Sequence, residues 1–131
     1  PEDQWDVILS SASKIEELGY ESIWVYDHFH TVPTPTQDPT YECWSLMSAL
    51  SQTTSKVRLG QMCTCNSYRN PAYLTKVASN IDVMSGGRLE YAIGAGCMIL
   101  KLIYIRHYNS SVFCHRGAAH SIANIYFYAC Y

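Results

Sequence analysis

Acidic residues run out early in this chain: Glu90 is the last of them, and residues 91–131 hold no Asp or Glu. At ordinary usage a stretch of that length holds about five. Charge is sparse overall, at 15% of residues, and the net charge is −2. Such a balance offers no basic surface for a nucleic acid or for an acidic membrane, so neither is expected as a partner. No apolar run reaches the roughly 18 residues of a transmembrane helix. The chain opens Pro1-Glu2-Asp3, with neither a basic nor an apolar leader region, so no signal peptide is expected in these residues. It has no initiator Met, and a segment upstream is therefore expected.

Dense, regular cysteine spacing is also lacking. The six cysteines are Cys43, Cys63, Cys65, Cys97, Cys114 and Cys130, and their scatter does not read as a secreted disulfide framework. Cys63 and Cys65 have the spacing of half a zinc site, but no second close pair completes it. The plainer reading is small buried thiols in a reducing cytoplasm.

What the chain does have is an alternation of helical and strand-like segments. Trp5, Ile8, Leu9, Ala12, Ile15 and Leu18 recur at helical spacing, and Gly19 is a natural stop. Ser22 to Tyr26 is apolar on both faces, as in a strand covered by helices. A proline-containing loop follows over 27–40. Asp38-Pro39 looks like the cap of a second helix, marked by Trp44, Leu46, Met47 and Leu50 and ending near Ser55. A strand is expected over 57–63. Asn70-Pro71 reads as the start of a third helix, because Asn accepts from free N–H groups and Pro has none to waste. Gly86-Gly87 ends it, and 88–93 is the next strand.

Strands thus begin near residues 22, 57 and 88, with a helix between each pair. Helical crossovers make such strands parallel, in the order 22–27, 57–63, 88–93. The fold class is α/β, either a doubly wound sheet or part of a (β/α)8 barrel. A whole barrel takes about 250 residues, and this chain has 131. An incomplete sheet leaves open edges, which invite pairing and an oligomer. From about Cys97 the character changes, and 97–131 reads as an unrelated tail, frameshifted or disordered. Met98 to Ile105 is its most strand-like segment.

Ligands of α/β proteins bind at the C-terminal ends of the strands. Three loops should open there. The first is Asp27-His28-Phe29-His30. A histidine there can donate, accept or bind metal, and Asp27 is placed to orient His28; the alternative is an exposed loop histidine or an Asp cap. His28 and His30 also resemble the metal pair of barrel hydrolases, whose further ligands stand on later strands. The second loop is Cys63 to Pro71, where Arg69 either binds an anion or is solvated. The third is Gly94-Ala95-Gly96. Its glycines let backbone approach a flat ring or a phosphate, or they form a plain tight turn. It is not a dinucleotide fingerprint, since Ile99 stands at the third glycine position.

Taken together, residues 5–96 resemble the luciferase-like flavin and deazaflavin oxidoreductases. The resemblance is carried by Glu17 to Phe29, Val57 to Gly60, Thr64 to Pro71, Asp82 to Arg88 and Ile93 to Gly96. It is closest to the branch that uses coenzyme F-420, a deazaflavin. It implies a (β/α)8 barrel of which residues 1–96 carry three parallel strands and their helices. It also implies coenzyme F-420 or FMN as cofactor, a small organic substrate, and hydride transfer or monooxygenation as the reaction. Asp27 and His28 match the catalytic residues beside the ring. Met62, Cys63, Thr64, Asn66, Gly94, Ala95 and Gly96 match the cofactor-binding backbone, with a non-proline cis peptide at Met62–Cys63. No metal is implied. The first strand and the later strands of the family pattern are missing, so the chain is expected to be inactive alone. The competing readings are a metal-dependent barrel hydrolase and a non-catalytic fragment.

Overall fold

A computed structural model describes residues 2–94 and 125–128. Helix α1 spans Glu2–Glu17, strand β1 Ser22–Val25, helix α2 Cys43–Thr53, strand β2 Arg58–Gln61, strand β3 Thr64–Cys65, helix α3 Pro71–Ser85, strand β4 Leu89–Gly94 and strand β5 Ile125–Tyr128. All strand pairs are parallel. β1 pairs with β2 in the register Ile23 to Leu59 and Val25 to Gln61, and β2 pairs with β4 through Leu59 to Leu89. The expected order of the three main strands is therefore observed.

Two features depart from expectation. The strand expected over 57–63 is broken: β2 ends at Gln61, the Met62–Cys63 peptide is cis, and β3 resumes at Thr64 against Ile93 of β4. The far edge of β4 is taken by β5, with Tyr91 opposite Ile125 and Gly94 opposite Tyr128. Met98 to Ile105, expected to be the pairing segment, lies outside the described residues. Among the described residues β1 has a neighbour on one side only.

Alternation along the strands divides the sheet into two faces. Leu59, Leu89 and Tyr91, with Ile23, Val25 and Ile93, pack against Ala12 of α1, Trp44, Met47 and Leu50 of α2, and Leu74, Ala78 and Ile81 of α3. This is the core. On the opposite face Trp24 covers Gly60 so closely that a Cβ there would come 2.5 Å from the ring. Beside them Arg58 pairs with Glu90 across β2 and β4.

Local chemistry sets the helix ends. Asn70 caps α3, its side chain accepting from the N–H groups of Ala72 and Tyr73, and Gly86 ends it with a left-handed φ of 72°. The second helix starts later than expected. Asp38 does not cap it but accepts from Thr36 Oγ1 within the loop. The cap is Glu42, which accepts from the N–H of Ser45 at 2.7 Å. At the other end of α2, Arg88 donates to the carbonyls of Ser51 and Thr54, each at 2.9 Å, and to Val57 O at 2.7 Å. One planar guanidinium thus satisfies carbonyls that a helix end leaves unpaired. Glu16 of α1 does the converse. Its carboxylate accepts from the N–H groups of Ser55, Lys56 and Val57, which tethers α1 to the start of β2.

Candidate functional site

The parallel sheet carries the ends of β1, β2, β3 and β4 to one rim. The register ties Val25 to Gln61 and Cys65 to Gly94. Met62 N–H donates to Val25 O at 2.8 Å, and Asn66 N–H donates to Gly94 O at 3.1 Å. Asp27 and His28, the Met62–Asn66 segment and Gly94 therefore stand at the same end of the sheet. Ala95 and Gly96 lie outside the described residues.

The side chains at this rim differ sharply in exposure. Met62 is exposed, while Cys63, His28 and Asn66 are half-buried. His28 packs beside Tyr26, with ring centroids 5.3 Å apart. Thr64 is fully buried, and its hydroxyl has no hydrogen-bond partner. Asp27 is also fully buried, and its carboxylate faces inward rather than into the open rim. Oδ2 accepts from Arg69 Nη1 at 2.6 Å and from the Cys65 N–H at 2.8 Å; Oδ1 accepts from Arg69 Nη2 at 2.9 Å.

Arg69 takes neither of the two roles its place in the sequence suggests: it is not solvated, and it is not open to an anion. Its side chain is 10% exposed and is paired with two carboxylates, Asp27 and Glu42. The physical reason is proximity in the fold: the β3–α3 loop folds back over the end of β1, where Asp27 needs a partner to be buried. These pairs hold the guanidinium pKa above its usual value, against the opposing effect of burial. Burial also works against ionisation of Glu42, but hydrogen bonds from Ser45 and Arg69 outweigh it and keep that carboxyl below its usual range. Burial pushes the Cys43 thiol up, away from thiolate character, and holds the Tyr91 phenol up at about 12. Next to Arg69, Tyr68 stacks on Phe29 with centroids 4.0 Å apart and ring planes 14° from parallel.

Glu42 and the Phe29–Tyr68 stack were not anticipated. The signal for Arg69 was faint but present: a lone arginine just before a helix start, with a carboxylate at a neighbouring strand end. His30 lies apart from the rim residues in its hydrogen bonding, its Nδ1 being 2.9 Å from Thr31 O. Among the described residues, no three His, Cys, Asp or Glu groups stand together as a metal site. Cys43 and Cys65 are free thiols. No helix among the described residues is long and apolar enough to cross a membrane.

An exposed Met62, a half-buried Cys63 and a half-buried His28 on one rim fit the edge of a flat ring. Arg69, the arginine of this rim, is already committed to two carboxylates.

The profile of the luciferase-like monooxygenase family matches residues 1–97. An F-420-dependent glucose-6-phosphate dehydrogenase of Amycolatopsis mediterranei is 29% identical over 92 residues, which is 68% of this chain and 27% of that protein. A phthiodiolone/phenolphthiodiolone dimycocerosates ketoreductase of Mycobacterium tuberculosis is 30% identical over 104 residues, covering 66% of this chain and 27% of its own. Among solved structures, an F-420-dependent secondary alcohol dehydrogenase in complex with an F-420-acetone adduct superposes with a TM-score of 0.59 at 33% identity. The match covers 67% of this chain and 27% of that one. A coenzyme F-420 dependent tetrahydromethanopterin reductase from Methanopyrus kandleri, 24% identical, shares the fold with a TM-score of 0.60 over 78% of this chain and 26% of its own. The chain spans about a quarter of the length of these relatives.

Proposed function

This chain belongs to the luciferase-like monooxygenase family, and we propose that it carries part of the ring site of an oxidoreductase using coenzyme F-420 or FMN. The observation that carries the proposal is the convergence of His28, Met62–Cys63 and Gly94 at the C-terminal ends of parallel strands. The relatives named above, several of them F-420-dependent, support the choice of cofactor. Such a ring, when bound, supplies hydride transfer or, as a flavin, oxygenation of a small organic substrate.

The chain's own part is to present a surface to that ring. His28, half-buried at the rim, is placed to contact ring and substrate, where an imidazole can donate or accept a hydrogen bond. Met62, Cys63 and Thr64 flank the ring through their backbone, with Asn66 and Gly94 completing the rim. Asp27, whose oxygens accept from Arg69 and the Cys65 N–H, positions the segment that carries His28.

A barrel site draws residues from many strand ends, with phosphate contacts often from the last two strands. Residues 1–96 supply only the first part of such a site. Residues 97–131 are read as a separate sequence, of which Ile125–Tyr128 pairs with β4. The free thiols suit a reducing cytoplasm. Titration of the purified chain with FMN and with oxidised coenzyme F-420 tests the reading. Weak, saturable binding to either, lowered by His28→Ala and without turnover of a sugar phosphate or an alcohol, is the expected result. No binding to either overturns the ring site, and turnover overturns the view that the chain is inactive alone.

A further inference from the structure

We propose that Arg69 is the positioning residue of this rim: by gripping Asp27 and Glu42 at once, it fixes the Met62–Asn66 segment against the end of β1. The proposal rests on the ring-site reading above.

The argument starts from what converges on one carboxylate. The Cys65 N–H and the Arg69 guanidinium both donate to Asp27, and they come from the two ends of one short loop. Between them the Tyr68 N–H donates to Cys65 O at 3.2 Å, so the loop is closed on itself. Asp27 is the residue before His28. A single buried anion therefore sets both the β1 end that carries His28 and the segment that carries Met62 and Cys63. Glu42 adds the third anchor. It takes Arg69 through Oε1 and caps α2 through Oε2. The N-terminus of α2 and the approach to α3 are thereby tied to the same guanidinium.

Only a planar fork can do this. Arginine presents several donors in fixed directions, whereas a lysine ammonium is a point charge that cannot span two carboxylates in the same way. Neither Arg69 nor Asp27 is open to the rim, so their influence passes through backbone placement. A buried ion pair is a weak source of net stability. Its effect is therefore to be sought in the position of the loop.

The experiment compares the full chain with Arg69→Lys and with the double variant Asp27→Asn/Arg69→Met. The double variant removes both charges of the buried pair; Glu42, whose side chain is 39% exposed, loses its arginine but keeps the bonds from Ser45. Folding is followed by far-UV circular dichroism, the Cys65 amide by hydrogen exchange, and the ring site by the visible spectrum on titration with FMN and with oxidised coenzyme F-420. Both variants are expected to keep the wild-type circular dichroism. Exchange at Cys65 should speed up, and cofactor affinity should fall by about tenfold or more, as small misplacements near a site do. The spectrum of the bound ring should also change. If Arg69→Lys fails to fold, the double variant alone decides.

A folded variant with wild-type exchange at Cys65 and a wild-type ring spectrum overturns the proposal. Wild-type protein that binds neither cofactor overturns the ring-site reading, and the placement of a ring by Arg69 falls with it. Wild-type binding that the variants leave intact sinks Arg69 alone.

Discussion

The carboxylate of Glu16 accepts from the N–H of Val57 at 2.9 Å, across 41 positions of sequence. Together with the N–H groups of Lys56 and Ser55, this holds the Glu16 pKa at about 2, below its ordinary 4.5. Because the folded pKa is the lower one, the contribution to stability is complete above the unfolded value. It fades as pH falls from about 4.5 towards 2. Glu16→Gln should flatten the pH dependence of the urea midpoint in that window and leave its slope near neutrality unchanged. Glu16 is half-buried at the surface, and solvent screening should keep the effect modest. Urea melts at pH 2.5, 4 and 7 measure it, and an unchanged acid limb in Glu16→Gln would remove this contact from the account.

Gly60→Ala should destabilise the sheet. The added methyl would lie 2.5 Å from the Trp24 ring, whose Nε1 donates to Ser22 Oγ and so resists displacement. Overpacking of this kind costs about 1–3 kcal/mol. Tryptophan fluorescence during denaturation reads both the loss and the displaced ring. A variant as stable as wild type would mean that Trp24 moves aside freely.

Arg88→Lys should weaken the C-terminal end of α2. The ammonium cannot reach Ser51 O, Thr54 O and Val57 O together, and each buried carbonyl left unpaired costs about 1–3 kcal/mol. Faster amide exchange confined first to the last turn of α2 is the expected signature. Uniform loosening of the whole chain would speak against a local clamp.

Size-exclusion chromatography should show species larger than the 14.8 kDa monomer. Among the described residues β1 is paired on one side only, and an open edge of that kind pairs readily with another chain. Elution as a single monomer peak at micromolar concentration would show that the edge is covered.

The parts of the fold that were readable in sequence are those decided locally. Asn70-Pro71 and Gly86-Gly87 announce the two ends of α3, because capping needs only neighbouring backbone. The parallel order followed from helices lying between strands. The start of α2 was misplaced because Asp38 and Glu42 are both competent caps, and the choice falls to the one that Arg69 also holds. Partners far apart in sequence were not readable. Nothing local to Arg69 names Asp27, and nothing local to Glu16 names the N–H groups of Lys56 and Val57. The burial of Asp27 was missed for the same reason, since a carboxylate at a strand end looks equally suited to solvent.

Helix α2 is fastened at both ends by arginines, Arg69 through Glu42 and Arg88 through Ser51 and Thr54. Both arginines come from later in the chain and are anchored to the sheet. The helix is therefore a spacer of set length between two fixed stations. One residue more or fewer would shift an end by about 1.5 Å and turn it by about 100°, and only one of the two grips would survive. Variation in this segment should accordingly change residue type and leave residue number alone. An insertion tolerated anywhere in Cys43–Thr53 would have to release either the rim of the site or the base of the core.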